Sequence, residues 1–365
     1  MSLKNRFVRA ATWEGLATPE GEVTSRLIEM MESLAGGGVG LIISSHSYVS
    51  PEGRGTPWQI GVYKDELIPK LKEMTAAVHN NDGKIIMQLA HAGQYAEKET
   101  GAPALAVSDS GTFSERNVKI ITRRDVHRLI TCYSRAAKRA LESGFDGIEI
   151  HSGHGYLLSQ FLSPAYNKRQ DEYGGSIDNR TRIHLQIYRG IREVVRRDFP
   201  ILIKMNCSDF IENGITLDDS LQAARMFSRA GFDAIEISGG IIRTGKFSPS
   251  RPGITTADKE AYFKEFAREF KNKIKTPLIL VGGLRSFEVA DKIIADEIAD
   301  YISMSRPFIR EPGLIDRWQK GDLLKAECSS CNLCFNPGFD GKGIYCVAKE
   351  AEKNGTLGRR INRFS

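Results

Sequence analysis

The sequence predicts an α/β fold: a closed (β/α)8 TIM barrel over residues 1–320, with a short cysteine-rich extension over 321–365. Three observations carry that expectation. Eight short β-branched runs alternate with longer segments of helical periodicity, the pattern of a parallel sheet with helical crossovers. Two segments, "GFDGIEIHSGHG" (144–155) and "GFDAIEISGG" (231–240), repeat one plan of helix end, strand and Gly-rich loop, and "GVGLIISSHS" (38–47) is a fainter version. No strand is followed by G-x-G-x-x-G, which disfavours the alternative, an open doubly wound sheet.

In chain order the candidate strands are 6–11, 39–44, 84–90, 147–151, 201–206, 234–238, 278–282 and 301–305. Between the third and fourth, residues 125–144 place Val126, Ile130, Tyr133, Ala137 and Leu141 on one helical stripe. Gly144 and Gly231 fall where helix C-termini should be. From about residue 320 the chain becomes Gly-, Cys- and charge-rich and too short for its own core, so it should pack on the barrel or be held by a metal.

Composition narrows the class. With 365 residues, 41% hydrophobic and 26% charged, the chain reads as a globular protein with a substantial core. The net charge of +6 suits an anionic ligand, yet it is spread along the chain, so no nucleic-acid stripe is expected. The N-terminus lacks an apolar signal region and no run approaches 18 apolar residues, so a cytoplasmic location with no membrane span is expected.

In a parallel barrel the site lies at the C-terminal strand ends, and here those ends are chemically crowded. Ala11 and Thr12 follow the first strand, Ser45, His46 and Ser47 the second, and Gln88 and His91 end the third. His151, His154 and Tyr156 follow the fourth, Lys204 and Asn206 lie on the fifth, and Ser238, Gly239 and Gly240 follow the sixth. The seventh runs into Gly282-Gly283 and the eighth into Ser305-Arg306. Lys204 interrupts an apolar strand: it either snorkels to the rim or is a fixed cation beside a ligand's developing negative charge. Loops after strands seven and eight commonly bind phosphate, which gives Gly283, Ser305 and Arg306 a role, and Ser286 could cap the intervening helix. His151 and His154 could be a metal pair, structural residues, or paired donors to a carbonyl or nitro oxygen, with Tyr156 able to supply a proton.

These residues sit in a longer pattern. "GFDGIEIHSGHGYLLSQFLSPAYNKRQDEYGGSIDNRTR", with "KNRFVRAAT", "VSPEGRG", "IIMQLAHAGQ", "IKMNCSDF" and "SMSRPFIREP", resembles the Old Yellow Enzyme family of NADH:flavin oxidoreductases across residues 4–318. The cysteine-rich tail resembles its 2,4-dienoyl-CoA reductase, 2-enoate reductase and trimethylamine dehydrogenase branch, without that branch's dinucleotide-binding half. The resemblance implies FMN in the barrel and NAD(P)H as reductant. Gln88 would bond the flavin's pyrimidine edge, helped by Ala11, Thr12 and His46. Lys204, where the family usually has arginine, would stabilise the reduced flavin, Gly239 would border it, and Gly283, Ser305 and Arg306 would hold the phosphate. His151 and His154 would grip the substrate oxygen and Tyr156 would donate a proton. Trp13 stands where many members carry Cys or Thr.

Cys328, Cys331, Cys334 and Cys346 stand at C-x2-C-x2-C-x11-C, a spacing that suits a [4Fe-4S] cluster better than zinc, with unligated thiols as the remaining reading. The resemblance implies reduction of the activated C=C bond of α,β-unsaturated carbonyl compounds. The alternative is an outward-running dehydrogenase that passes electrons from FMN through the cluster to a carrier protein, and a third is a barrel that binds ligand without redox chemistry. Loops 95–120 and 240–255 should set which enone or enoate fits. Self-association into a homo-oligomer is a further expectation.

Overall fold

A computed structural model describes residues 1–97, 101–109, 117–242 and 244–355. Eight parallel strands close into a barrel: β1 (Phe7–Arg9), β2 (Leu41–Tyr48), β3 (Ile85–Ala90), β6 (Gly147–Ser152), β7 (Ile201–Asn206), β8 (Ala234–Ser238), β9 (Leu278–Val281) and β10 (Tyr301–Met304), with β10 pairing back onto β1. The eight candidate strands are these eight, trimmed or extended at their ends. Two short strands were not anticipated: β4 (Ala104–Ala106) and β5 (Val118–Ile120) form a separate parallel pair. They fall in the loop expected to shape substrate acceptance; residues 98–100, 110–116 and 243 of the two loops lie outside the described residues.

Helices α1 (Ser25–Gly36), α2 (Ile68–His79), α3 (Arg123–Glu142), α4 (Leu157–Leu162), α5 (Ile177–Arg192), α6 (Leu217–Ala230), α7 (Lys264–Lys271) and α8 (Phe287–Ala295) make the crossovers. The α3 stripe is rotated from the one read in the sequence. Val126, Leu129, Tyr133, Ala136, Ala137 and Ala140 are buried, whereas Ile130 and Leu141 only border the core. Alanines let α3 approach its neighbours closely, so small residues replace the larger aliphatics at the contact. Gly231 closes α6 with φ +102°, and Gly144 follows α3 at φ +82°, left-handed conformations that glycine adopts without a Cβ clash.

Strand alternation builds the barrel interior in two layers. Below, Val8, Leu41, Ile43, Ile86, Leu202, Ala234 and Ile279 form an apolar plug. Above it the inward positions turn polar: Gln88, Glu149, Lys204, Glu236 and Ser303 are all buried. The outward partners Ile148, Ile150, Ile203, Ile235 and Ile237 pack into the main core beneath the helices. On β2 the register with β3 jumps between Ile43↔Ile86 and His46↔Gln88, one extra residue on β2. This bulge re-aims His46 into the barrel opposite Gln88.

Helices α9 (Arg306–Arg310) and α10 (Leu314–Gln319) follow β10; α11 (Asn336–Phe339) and α12 (Val347–Lys353) belong to the tail. The tail is bonded to the barrel at several points. Ala326 N donates to Arg285 O, Ile344 N to Glu14 O, and Arg310 is ion-paired to Glu327 and Glu352. Phe339 packs on Trp13 at 4.6 Å between ring centroids. Among the described residues no helix is long and apolar enough to cross a membrane.

Candidate active site

The strand ends open into one cleft of about 280 Å³. Its walls include Ala11, Thr12, His46, Gln88, His151, His154, Tyr156, Lys204, Gly283, Ser305 and Arg306. Gly239 is the exception among the residues expected to hold flavin or substrate. A Cβ there would stand 2.8 Å from Phe263 and 2.9 Å from the Cys207 sulfur, so it is packed behind the wall that Ser238 faces.

At the mouth three rings converge. His151 and His154 lie 5.1 Å apart between centroids, and Tyr156 stands 5.0 Å from His151. His154, two residues beyond β6, sits at φ +61°, an uncommon conformation for a non-glycine residue, held by a bond from its backbone N–H to Asn206 Oδ1 and a bridge to Ile241. Its Nε2 engages Ser238 Oγ at 2.7 Å. His151 is buried, and its Nδ1 has no partner among the described residues. Burial, then neighbouring cationic character from His154 and Lys204, holds His151 well below the usual imidazole range; burial and Lys204 do the same to His154. Each ring is therefore neutral near pH 7 and carries one N–H. The Tyr156 hydroxyl lies 3.2 Å from His46 Nε2. Burial pushes the phenol above its usual range and the His46 imidazole down to about 4, so Tyr156 keeps its proton.

Beneath the cleft floor lies a buried ionic cluster. Lys204 Nζ stands 3.0 Å from Glu236 Oε2, and the two residues face each other in register between β7 and β8. Ser303 Oγ donates to Glu236 Oε1 at 2.7 Å, and Gln88 Nε2 donates to Glu149 Oε2 at 2.5 Å. Burial, then the Glu236 charge, pushes the Glu149 carboxyl well up from its ordinary value. Neither glutamate was expected from the sequence. The available signal was each one's position between two isoleucines of a strand, the same context that drew attention to Lys204.

At the far end, Gly282 and Gly283 turn with φ +129° and +75°, and a Cβ on Gly283 would meet the Tyr262 ring at 2.8 Å. Thr12 Oγ1 and Ser305 Oγ are bonded at 2.7 Å. Arg306 Nη1 donates to Arg251 O and Asn332 Oδ1, and the Arg251 guanidinium stacks 4.2 Å from the Tyr262 ring. Ser286 caps nothing with its side chain: its hydroxyl donates to Glu260, whose carboxylate also accepts the Arg285 and Ser286 amides at the start of α8. That helix end already holds an anion, the Glu260 carboxylate.

The sequence matches the NADH:flavin oxidoreductase / NADH oxidase family over residues 1–324. The chain belongs to that family. Its relatives include the NADH oxidase of Thermoanaerobacter brockii, 33% identical over 96% of this chain. A solved 2-naphthoyl-CoA reductase complex superposes with a TM-score of 0.87 at 27% identity, covering 98% of this chain. An Old Yellow Enzyme homologue from Zymomonas mobilis gives 0.74 at 27% identity, covering 90% of this chain and 92% of its own. The chain spans only 56% of the length of each of the first two. The family is that of the Old Yellow Enzymes, with FMN and NAD(P)H its cofactor and reductant. The residues fit FMN: polar donors line one face, a glycine turn without room for Cβ approaches a corner with an arginine, and the unpartnered His151 Nδ1 sits at the mouth.

The cysteines fit a metal less well. Cys328 and Cys334 are buried, Cys346 half-buried and Cys331 exposed. Among the described residues no three His, Cys, Asp or Glu side chains converge to hold an ion. Burial, then the neighbouring Cys328, raises the Cys334 thiol to about 12 against the lowering effect of Arg306. The expected [4Fe-4S] ligand set is thus not assembled. Their loop nevertheless contributes Ser330 and Phe335 to the cleft wall.

Proposed function

We propose that this protein reduces the activated C=C bond of small α,β-unsaturated carbonyl compounds, enones or enoates, with NAD(P)H as the source of electrons. Bound FMN supplies the hydride chemistry; the protein supplies position and charge. Gln88, Lys204, Thr12 and His46 would hold the ring system, and Gly283, Ser305 and Arg306 its phosphate. His151 and His154 each offer one N–H to the substrate's carbonyl oxygen, where negative charge grows as the β-carbon accepts hydride. Tyr156 donates its proton to the α-carbon.

The convergence of His151, His154 and Tyr156, all uncharged, at one mouth of the cleft carries this reading. Two neutral donors polarise an oxygen without competing for the proton that Tyr156 must deliver. The test is an anaerobic absorption spectrum of FMN-reconstituted protein, titrated first with NADH and NADPH and then with an enone panel. Bleaching by a nicotinamide and recovery by an enone are expected. A colourless protein, or reduced flavin that no enone reoxidises, overturns the proposal.

The outward-running alternative rests on the cysteine spacing and on the tail's place at the cleft wall. Among the described residues those thiols do not converge as a ligand set. Iron and acid-labile sulfide in anaerobically purified protein would establish it, and absence of both ends it.

A further inference from the structure

Flavin-facing residues line the cleft, but two glutamates behind the floor do not, and the mechanism above leaves them without a task. Glu236 contacts Lys204 from behind at 3.0 Å and is tied in place by the Ser303 hydroxyl, while Lys204 itself reaches the cleft. Lys204 also stands in register with His151 on one side and Glu236 on the other. The pair is therefore a fixed dipole with its positive end toward the ring system and its negative end buried. We propose that Glu236 is a positioning residue that aims Lys204 at the flavin and, by offsetting part of its charge, sets the flavin's reduction potential.

The inference rests on the flavin reading of the cleft and refines it. Reduction by two electrons leaves negative charge on the pyrimidine side of the ring when only one proton is taken up. A bare lysine there would favour the reduced form strongly; a lysine backed by a carboxylate favours it less. In a site removed from water this difference is felt at the ring, because charges there are weakly screened. Glu149 is the internal comparison. It holds Gln88 from the equivalent position by a hydrogen bond, and burial and the Glu236 charge bias its carboxyl toward the uncharged form.

The experiment compares FMN-loaded wild type, E236Q, E149Q and the double variant K204M/E236Q by anaerobic dye-equilibrated titration and by sulfite binding. Sulfite adds to oxidised flavin and leaves the same negative charge, so its affinity reports the local field without turnover. E236Q should shift the reduced-to-oxidised ratio at fixed poise at least tenfold toward reduced, about 30 mV for a two-electron couple, and tighten sulfite by a similar factor. E149Q should move both by less than about threefold, far below that one-decade step. Removing one partner of a buried pair is destabilising, so E236Q is liable to unfold; K204M/E236Q removes both charges and evades that penalty. The double variant should fall below wild type in potential, because the positive end of the dipole is lost. An E236Q potential equal to or lower than wild type, or a double variant equal to wild type, overturns the inference. A wild-type protein that binds no FMN refutes the flavin reading instead, so the two failures are distinguishable.

Discussion

Replacing Tyr156 with Phe removes one hydroxyl and tests the proton-delivery step directly. The hydroxyl is 3.2 Å from His46 Nε2, its ring stands 5.0 Å from His151, and burial keeps the phenol protonated. A positioned general acid contributes on the order of 10²–10⁴-fold, about 3–5 kcal/mol of barrier. Loss of the hydroxyl also strands the buried His46 nitrogen at about 1–3 kcal/mol in stability, which the whole domain can absorb. Stopped-flow separation of the two half-reactions is the assay. Flavin reduction by nicotinamide should be unchanged in Tyr156→Phe. Reoxidation by 2-cyclohexenone should slow by at least about 100-fold, and phenol ligands should still bind. Enone reduction within about threefold of wild type would mean that the proton comes from water or another group, and the role given to Tyr156 would be withdrawn.

Three further outcomes follow from the same geometry. His151→Ala with His154→Ala should weaken binding of a phenol to the oxidised holoenzyme by about 10²–10⁴-fold, since two hydrogen bonds to a charged oxygen are worth about 3–6 kcal/mol together; unchanged affinity in an absorbance titration removes both from oxygen binding. Gly283→Ala introduces a Cβ 2.8 Å from the Tyr262 ring at a φ of +75°, where an L-residue costs about 1–2 kcal/mol, so FMN should bind about tenfold more weakly; fluorescence titration giving the wild-type value would show that the turn does not border the cofactor. Burial depresses His184 from 6.5 to about 3 against Ser152, so the unfolded chain takes up a proton below pH 6.5 that the folded chain refuses. Stability from this group is present above that value and falls as pH drops, by about 2 kcal/mol between pH 7 and 5. Urea unfolding of wild type and His184→Asn at both values checks this, and parallel pH dependence refutes it.

The strand ends were legible because polar side chains there break an otherwise apolar period. "ILIKMN" and "GIEIH" both declare inward positions by alternation, and the eight strands were legible as short β-branched runs between helical segments. What alternation could not supply was partnership. Lys204 and Glu236 lie 32 positions apart in the chain, and only the parallel register of β7 and β8 makes them neighbours. The bulge that turns His46 inward is equally invisible, since one extra residue in β2 changes side-chain facing without changing composition. Ser286 was misread for a related reason: a serine at a helix start looks like a cap, but Glu260 reaches the same amides with a full charge. The cysteine spacing spoke of ligands, whereas ligation depends on where the thiols converge.

The two layers inside the barrel explain how so polar a floor is tolerated. Burying a charge without a partner is costly, and burying an ion pair roughly breaks even only when its remaining donors and acceptors are met. Here Lys204 meets Glu236, Glu236 also accepts from Ser303, and Glu149 accepts from Gln88 while burial and the Glu236 charge push its carboxyl up. The apolar plug beneath, from Val8 to Ile279, and the isoleucines facing the helices supply stability that the polar layer does not. One set of inward positions therefore serves stability at the bottom of the barrel and chemistry at the top. A change in the lower layer should alter stability and leave the flavin's properties alone, whereas Glu236, equally buried but one layer higher, should alter both.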